Sequence, residues 1–109
     1  MATFIVQGRF STAAIKGLVA KPEDRRAAAA KLIAACGGKL KDYYFTTGEN
    51  DFLVIIEADD GESAVVAGMA ASAAGTVSHI TTTRAWTTGE FKKVAAKAGE
   101  AIGAYKPPG

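Results

Sequence analysis

The stretch of sequence that decides the fold is GKLKDYYFTTGENDFLVIIEA, residues 38–58. It predicts two β-strands joined by a turn at residues 47–50, TGEN. Gly48 and Asn50 are residue types that readily adopt positive φ, and a loop of about four residues is common in hairpins. Asp51 can bond nearby backbone groups, so we interpret it first as a residue that stabilises the turn.

The second strand of this hairpin begins with FLVII, residues 52–56, and is apolar on both faces. Successive side chains of a strand point to opposite sides, so Phe52 and Val54 lie on one face while Leu53 and Ile55 lie on the other. A strand that is apolar on both sides is usually covered on both sides. The fold must therefore shelter two faces of this one strand.

The segment before the hairpin predicts one strand followed by two helices. Residues 3–10 form the strand, in which Gly8 marks a bulge or a close backbone approach. Residues 12–20 form a short helix. A second helix is predicted to begin at Pro22, because proline suits the first helical position, and to run to about residue 35.

The segment after the hairpin predicts a third helix over residues 61–74, capped by Asp59 or Asp60, and then a last strand over residues 76–86, TVSHITTTRAW. Strict alternation places on one face of this strand Val77, His79, Thr81 and Thr83. It places on the other face Ser78, Ile80, Thr82, Arg84 and Trp86. Neither face is strongly apolar, which favours a sheet edge or the wall of a polar cavity.

The end of the chain predicts an amphipathic helix. Residues 87–90, TTGE, have the spacing of a capping box. The residues that follow place an apolar stripe at helical spacing, formed by Phe91, Val94, Ala95, Ala98, Ile102 and Tyr105. We predict one domain over residues 1–105 and a frayed tail at residues 106–109.

The order of elements, β-α-β-β-α-β with an extra helix, predicts the α+β ferredoxin-like plait. Its two packed helices cover one face of a four-stranded antiparallel sheet, and the other face needs a different cover. We expect a second copy of the chain there, which makes a homodimer or a higher homo-oligomer built as a dimeric α+β barrel. The alternative is that the C-terminal apolar stripe folds back over the open face.

Composition narrows the classes of partner. The formal net charge is +2 with acids and bases interspersed, so we expect no nucleic-acid partner and no membrane. RNA-binding RRM domains carry aromatics in a basic, glycine-containing third strand, and the strand FLVII does not have this pattern. The N-terminus shows no signal-peptide pattern, and a cytoplasmic location is the expectation.

Four stretches resemble a known family: MATFIV at residues 1–6, GGKL at 37–40, TGEND at 47–51 and TTRAWTTGEF at 82–91. Together they are similar to the GYD-domain family of small bacterial proteins, over about residues 2–91. The family signature is a Gly, a Tyr and an Asp in the turn before the third strand. Gly48 and Asp51 match, whereas Asn50 stands where the tyrosine is expected. The resemblance implies a relationship to dimeric α+β barrels and implies no particular reaction.

Candidate chemistry centres on His79, which is the only histidine. It is either a hydrogen-bonded strand residue or a general base or ligand in the cavity between two sheets. One histidine and one cysteine exclude a zinc site of the usual spacing within one chain. No phosphate-binding or dinucleotide fingerprint is present, so we expect no metal and no cofactor.

The predicted ligand-binding residues have polar or aromatic side chains: Arg9, Tyr43, Tyr44, Asp51, Thr81, Arg84 and Trp86. Each also has a structural interpretation, as a turn residue, a sheet-packing aromatic, a solvated charge or a core anchor. The two adjacent tyrosines must point to opposite faces.

These observations favour a homo-oligomeric protein that binds a small molecule between the sheets of a dimer. The alternative is a cofactor-independent enzyme of the dimeric α+β-barrel type, similar to monooxygenases or decarboxylases, with His79 as its base. The enzyme hypothesis rests on an analogy of fold alone.

Overall fold

The predicted hairpin supplies two of the four strands of one antiparallel sheet, in the order β2-β3-β1-β4. The computed structural model describes residues 1–109. Its elements are β1 (Ala2–Phe10), α1 (Thr12–Ala20), α2 (Arg26–Ala35), β2 (Lys39–Phe45), β3 (Phe52–Ala58), α3 (Glu62–Ala73), β4 (Val77–Ala85) and α4 (Thr88–Ala101), followed by a 3₁₀ turn, Ile102–Ala104. This arrangement confirms the α+β ferredoxin-like plait with an extra C-terminal helix.

The alternation along β3 decides where the core lies. Phe52, Val54 and Ile56 are buried, and they point toward α2 and α3. On β1, the neighbouring strand, Phe4 and Val6 are buried on the same side. The helices meet this layer mostly through small residues, so the core consists mainly of strand side chains.

The opposite face of the sheet, which we call the open face, has no helix over it. At its centre Ile5 lies directly across from Ile55, and Leu53 lies between Tyr44 on β2 and Gln7 on β1. Their positions on the open face follow from the pairing, because directly paired residues share a face. In the folded chain, β3 is therefore apolar on both faces, as the sequence predicted.

The C-terminal helix does not cover the open face. Every residue of α4 is exposed, and the chain extends 59 Å along its longest axis. The capping box predicted at the start of this helix is confirmed, since the Thr87 hydroxyl accepts from the Glu90 N–H and the Glu90 carboxylate accepts from the Thr87 N–H. The alternative in which the apolar stripe folds back is thus not what the structure shows.

Two predictions of local structure are wrong. The second helix begins at Arg26 instead of Pro22, because the Asp24 carboxylate accepts a hydrogen bond from the Arg26 N–H at 2.9 Å and starts the helix there. In β4, His79 adopts a φ of 53°, so two residues of β4 oppose Gly8 alone. This bulge breaks the strict alternation that the sequence predicted.

The bulge redistributes the side chains of β4. Val77 pairs with Phe10 and so points toward the helices, on the same side as Ile80, whereas Ser78 pairs with Arg9 on the open face. The predicted grouping of Val77 with His79, and of Ser78 with Ile80, is therefore wrong. Thr81 and Thr83 lie on the open face opposite Gln7 and Ile5.

Gly8 has no room for a side chain between its neighbours on β3 and β4, which confirms the prediction of a close backbone approach. A Cβ atom at Gly8 would lie 2.6 Å from Ile80 Cδ1, 2.9 Å from Phe52 Cζ and 3.0 Å from the Ser78 carbonyl oxygen. The first two atoms belong to side chains that can adjust. The Ser78 oxygen is backbone, and it can move only if the strands separate.

We expect Gly8→Ala to lower the free energy of unfolding by about 1–3 kcal/mol, because the added methyl group overpacks this contact. Gly17→Ala is the matched control, since Gly17 lies inside α1 with nothing within 4 Å of an added Cβ. The free energy of unfolding of that variant should rise by about 0.5–1 kcal/mol, because alanine has a higher helix propensity than glycine. Urea unfolding followed by circular dichroism measures both, and equal stabilities for the two variants would contradict the close approach.

Candidate functional site

The hairpin turn is held by short backbone bonds. The Thr46 N–H donates to the Asp51 carbonyl oxygen at 2.8 Å, and the Thr46 hydroxyl donates to the Asn50 carbonyl oxygen at 2.8 Å. Gly48 has a φ of +96°, as its residue type predicted. Asn50 does not adopt positive φ, because the loop between the strands is longer than four residues and needs only one left-handed position.

Asp51 connects this turn to β1. Its carboxylate oxygen Oδ2 accepts a hydrogen bond from the Phe10 N–H at 2.9 Å, and its own N–H donates to the Gly8 carbonyl oxygen at 2.8 Å. The side chain is half-buried. Asp51 therefore fixes the turn to the neighbouring strand, which extends the stabilising role that its position in the sequence indicated.

A polar groove lies beside this turn, and we call it the Arg9 groove. Arg9 is held in place because its Nε donates to the Glu49 carbonyl oxygen at 3.0 Å, with Nη2 4.0 Å from the Glu49 carboxylate. His79 is exposed, and its Nδ1 lies 3.0 Å from the Ser78 hydroxyl oxygen. The residues that line the groove are Gln7, Arg9, Glu49, Asn50, His79, Ile80 and Thr81. Three of the predicted site residues, Arg9, His79 and Thr81, are thus brought together.

The two adjacent tyrosines point to opposite faces, as their positions required. Tyr44 pairs with Leu53 and lies exposed on the open face. Tyr43 pairs with Val54 and lies on the helix side, where it packs against Phe45 with ring centroids 5.4 Å apart. Only Tyr44 therefore shares a face with the Arg9 groove.

Arg84 and Trp86 lie apart from the Arg9 groove, where β4 leads into α4. The Arg84 guanidinium stacks 4.4 Å from the Trp86 ring centroid and 5.7 Å from the Phe4 ring centroid. The Trp86 ring meets Phe91 edge-on, with centroids 5.6 Å apart. These contacts hold the N-terminal end of α4 against the sheet. Arg84 and Trp86 therefore have a packing role at the junction of β4 and α4.

A cavity on the helix side was not predicted from the sequence. It has a volume of about 540 Å³ and lies between α1, α2, α3 and the adjoining end of the sheet. Apolar side chains form its walls, and Lys21, Glu23 and Arg25 lie among its lining residues. The only signal was the run of alanines in α2 and α3, whose small side chains leave space, and a run of alanines does not specify where a space will form.

Tyr43 is one of the residues that line this helix-side cavity. Burial raises the pKa of Tyr43 above its ordinary value, and the positive charge of Arg25 opposes that shift in part. The phenol therefore stays protonated at neutral pH and keeps a hydrogen-bond donor available.

Comparison with sequence families gives a match over residues 4–95, and the matching family is described as the GYD domain. The chain belongs to the GYD domain family. This confirms the resemblance seen in the sequence. In this GYD domain, the signature Gly48 supplies the left-handed residue of the turn and the signature Asp51 bonds the turn to β1. Asn50, at the expected tyrosine position, offers its side chain to the Arg9 groove.

Comparison with solved structures gives a match described as the crystal structure of FFRP-DM1. The match has 18% sequence identity and a TM-score of 0.47, and it covers 79% of the present chain and 100% of the other. A likeness this distant says nothing about ligands, partners or activity. The search of curated proteins gave no match. None of the helices has the length and apolar character needed to cross a membrane.

We expect Asp51→Ala to lower the free energy of unfolding by about 1–3 kcal/mol, because the half-buried Phe10 N–H would lose its charged acceptor. Glu49→Ala, in the same turn, should cost about 0.5 kcal/mol or less, since its ion pair with Arg9 is exposed and long. Denaturant unfolding of the two variants measures the difference. If Glu49→Ala proved the more damaging change, the role assigned to Asp51 would be wrong.

Proposed function

We propose that this GYD domain protein forms a homodimer through its open faces, as a dimeric α+β barrel, and binds a small molecule between the two sheets. One observation carries the proposal: β3 is apolar on both sides, and helices cover only one of them. Burying one aliphatic side chain contributes about 1.5–3 kcal/mol. Ile5, Leu53 and Ile55 from each copy would supply a substantial driving force for association.

The extent of exposed surface supports association as well. The single chain has an accessible surface of 7572 Å², whereas a compact monomer of its mass has about 5,700 Å². Its radius of gyration is 17.5 Å, against about 13 Å for a compact domain of this length. The excess area includes α4, whose residues are all exposed, as well as surface elsewhere on the chain.

The chemistry of the open face indicates the kind of molecule that would fit. Ile5 and Ile55 present an apolar centre, and the threonines of β4 flank it. At one end, Arg9 and His79 supply a guanidinium and an imidazole within the same groove. We therefore favour a small molecule that has an apolar body and an anionic group, with the anion at Arg9.

A second candidate, a cofactor-independent enzyme, is supported by the backbone at His79. Its φ of 53° is unusual for a residue other than glycine, and such strained residues concentrate at functional sites. His79 is also the only imidazole in the chain, and histidine is the side chain that enzymes use most often for proton transfer. A His79→Asn variant that binds but no longer converts a substrate would favour this candidate.

We expect the purified protein to elute as a dimer, at twice the 11.2 kDa mass of one chain, in size-exclusion chromatography with light scattering. Ile55→Glu should shift the species to a folded monomer, because the carboxylate would be buried between two apolar sheets. Val65→Glu is the control, since Val65 is exposed on α3 away from the open face, and it should remain dimeric. A wild-type protein that stays monomeric at high concentration would contradict the proposal.

The anion preference can be tested with benzoate and its uncharged counterpart benzamide, by ligand-observed NMR. We expect benzoate to bind the wild-type dimer and Arg9→Gln to weaken that binding at least tenfold, because the charged partner is lost. Arg26→Gln is the control. The Arg26 guanidinium donates a hydrogen bond to the Lys41 carbonyl oxygen and lies on the helix side of the sheet, away from the open face. Equal binding of benzoate and benzamide, or no effect of Arg9→Gln, would remove Arg9 from the site.

A further inference from the structure

The helix-side cavity is the largest space in the molecule, at about 540 Å³, and the dimer proposed above makes no use of it. It exists because α1 does not pack closely against the rest of the helix layer. No residue of α1 is buried, and only one face of this helix, which includes Leu18 and Gly17, reaches the cavity. Its volume lies in the range of sites that hold small ligands.

The walls of this cavity suit a hydrocarbon chain. Phe10 and Val77 close it at the end of the sheet, Leu32 contributes from α2, and Leu18 contributes from α1. A smaller apolar void of about 100 Å³ adjoins it and shares Leu32, Tyr43 and Val77 as lining residues. A flexible chain that entered the larger cavity would thus meet apolar surface along its whole length.

The polar groups are few, and positive charge dominates among them. Lys21 and Arg25 are the two cations in the lining, and Glu23 is the only carboxylate. Glu23 already pairs with Arg25 at 2.7 Å, through Arg25 Nη1, which leaves the remaining guanidinium N–H groups free to donate. Tyr43 is also among the lining residues, and its hydroxyl adds a group that can donate and accept.

We propose that the helix-side cavity binds an aliphatic carboxylate, with its chain against Leu18, Leu32 and Val77 and its carboxylate at Arg25 and Lys21. Lys21 and the remaining Arg25 N–H groups are donors only, so they favour a head group that accepts hydrogen bonds, and the excess of two cations over one carboxylate selects an anionic one. The apolar walls select a chain over a compact polar anion such as phosphate. This site is separate from the open face, and it does not depend on the dimer or on the Arg9 groove.

The experiment is titration of the full-length protein with hexanoate, decanoate and dodecanoate by isothermal calorimetry, with 1-decanol as the uncharged comparison. In the monomeric Ile55→Glu variant, which has no site between two sheets, we expect one saturable site per chain for decanoate and binding of 1-decanol at least tenfold weaker. Arg25→Gln should weaken decanoate binding about tenfold, and Tyr43→Phe about threefold. Ala70→Phe should abolish it, because Ala70 is an exposed residue of α3 whose enlarged side chain would occupy the cavity.

Two controls separate this site from the site proposed on the open face. Lys31→Gln removes an exposed charge from α2 outside the cavity, and it should leave decanoate affinity unchanged. Arg9→Gln should leave unchanged the decanoate affinity of the site that Ala70→Phe removes, while it weakens benzoate. The proposal is overturned if none of the three carboxylates binds saturably, if Ala70→Phe retains full affinity, or if Arg9→Gln and not Arg25→Gln weakens decanoate. Monomeric Ile55→Glu should still bind decanoate, which keeps the outcome independent of the dimer.

Discussion

The packing of Phe52, Val54 and Ile56 against the small residues of α2 and α3 is the interaction on which the rest of the molecule depends. It fixes which side of the sheet faces the helices, and by the alternation of a strand it also fixes which side does not. Leu53 and Ile55 are placed on the open face by the same register. The tendency to associate is therefore a direct consequence of how the core is built.

The alanine content of the helices has a second consequence. Small side chains let α2 and α3 lie against the sheet, but they provide little volume with which to fill the corner where α1 begins and β4 starts. No large side chain is completely buried, because the helices contribute few bulky residues to the core. The open face and the helix-side cavity thus share one origin, a core made almost entirely by a single layer of strand side chains.

Much of the fold could be predicted from the sequence because its signals are local. Periodicity, the turn residues around Gly48 and the capping box at Thr87 each depend on a few neighbours in the chain. Gly8 predicted a bulge or a close approach, but the sequence could not place the extra residue at His79, because that depends on the pairing of β1 with β4 across the sheet. The helix-side cavity could not be predicted either, since it depends on how far α1 stands from the other helices. Three residues of the Arg9 groove, namely Arg9, His79 and Thr81, were among the predicted site residues, whereas the turn residues Glu49 and Asn50 were not, because their approach to β4 depends on how the hairpin folds.

The register shifts in the two edge strands also affect how the sheet can associate with other chains. β2 and β4 are the two borders of the sheet, and each contains a register shift, at Lys41 and at His79. A straight border would offer its unpaired N–H and C=O groups to any other extended chain. Each bulge interrupts that row, and Lys41 adds a charge beside the break. Both edges therefore disfavour the addition of further strands, which would build fibres. Face-to-face association of two copies is not affected.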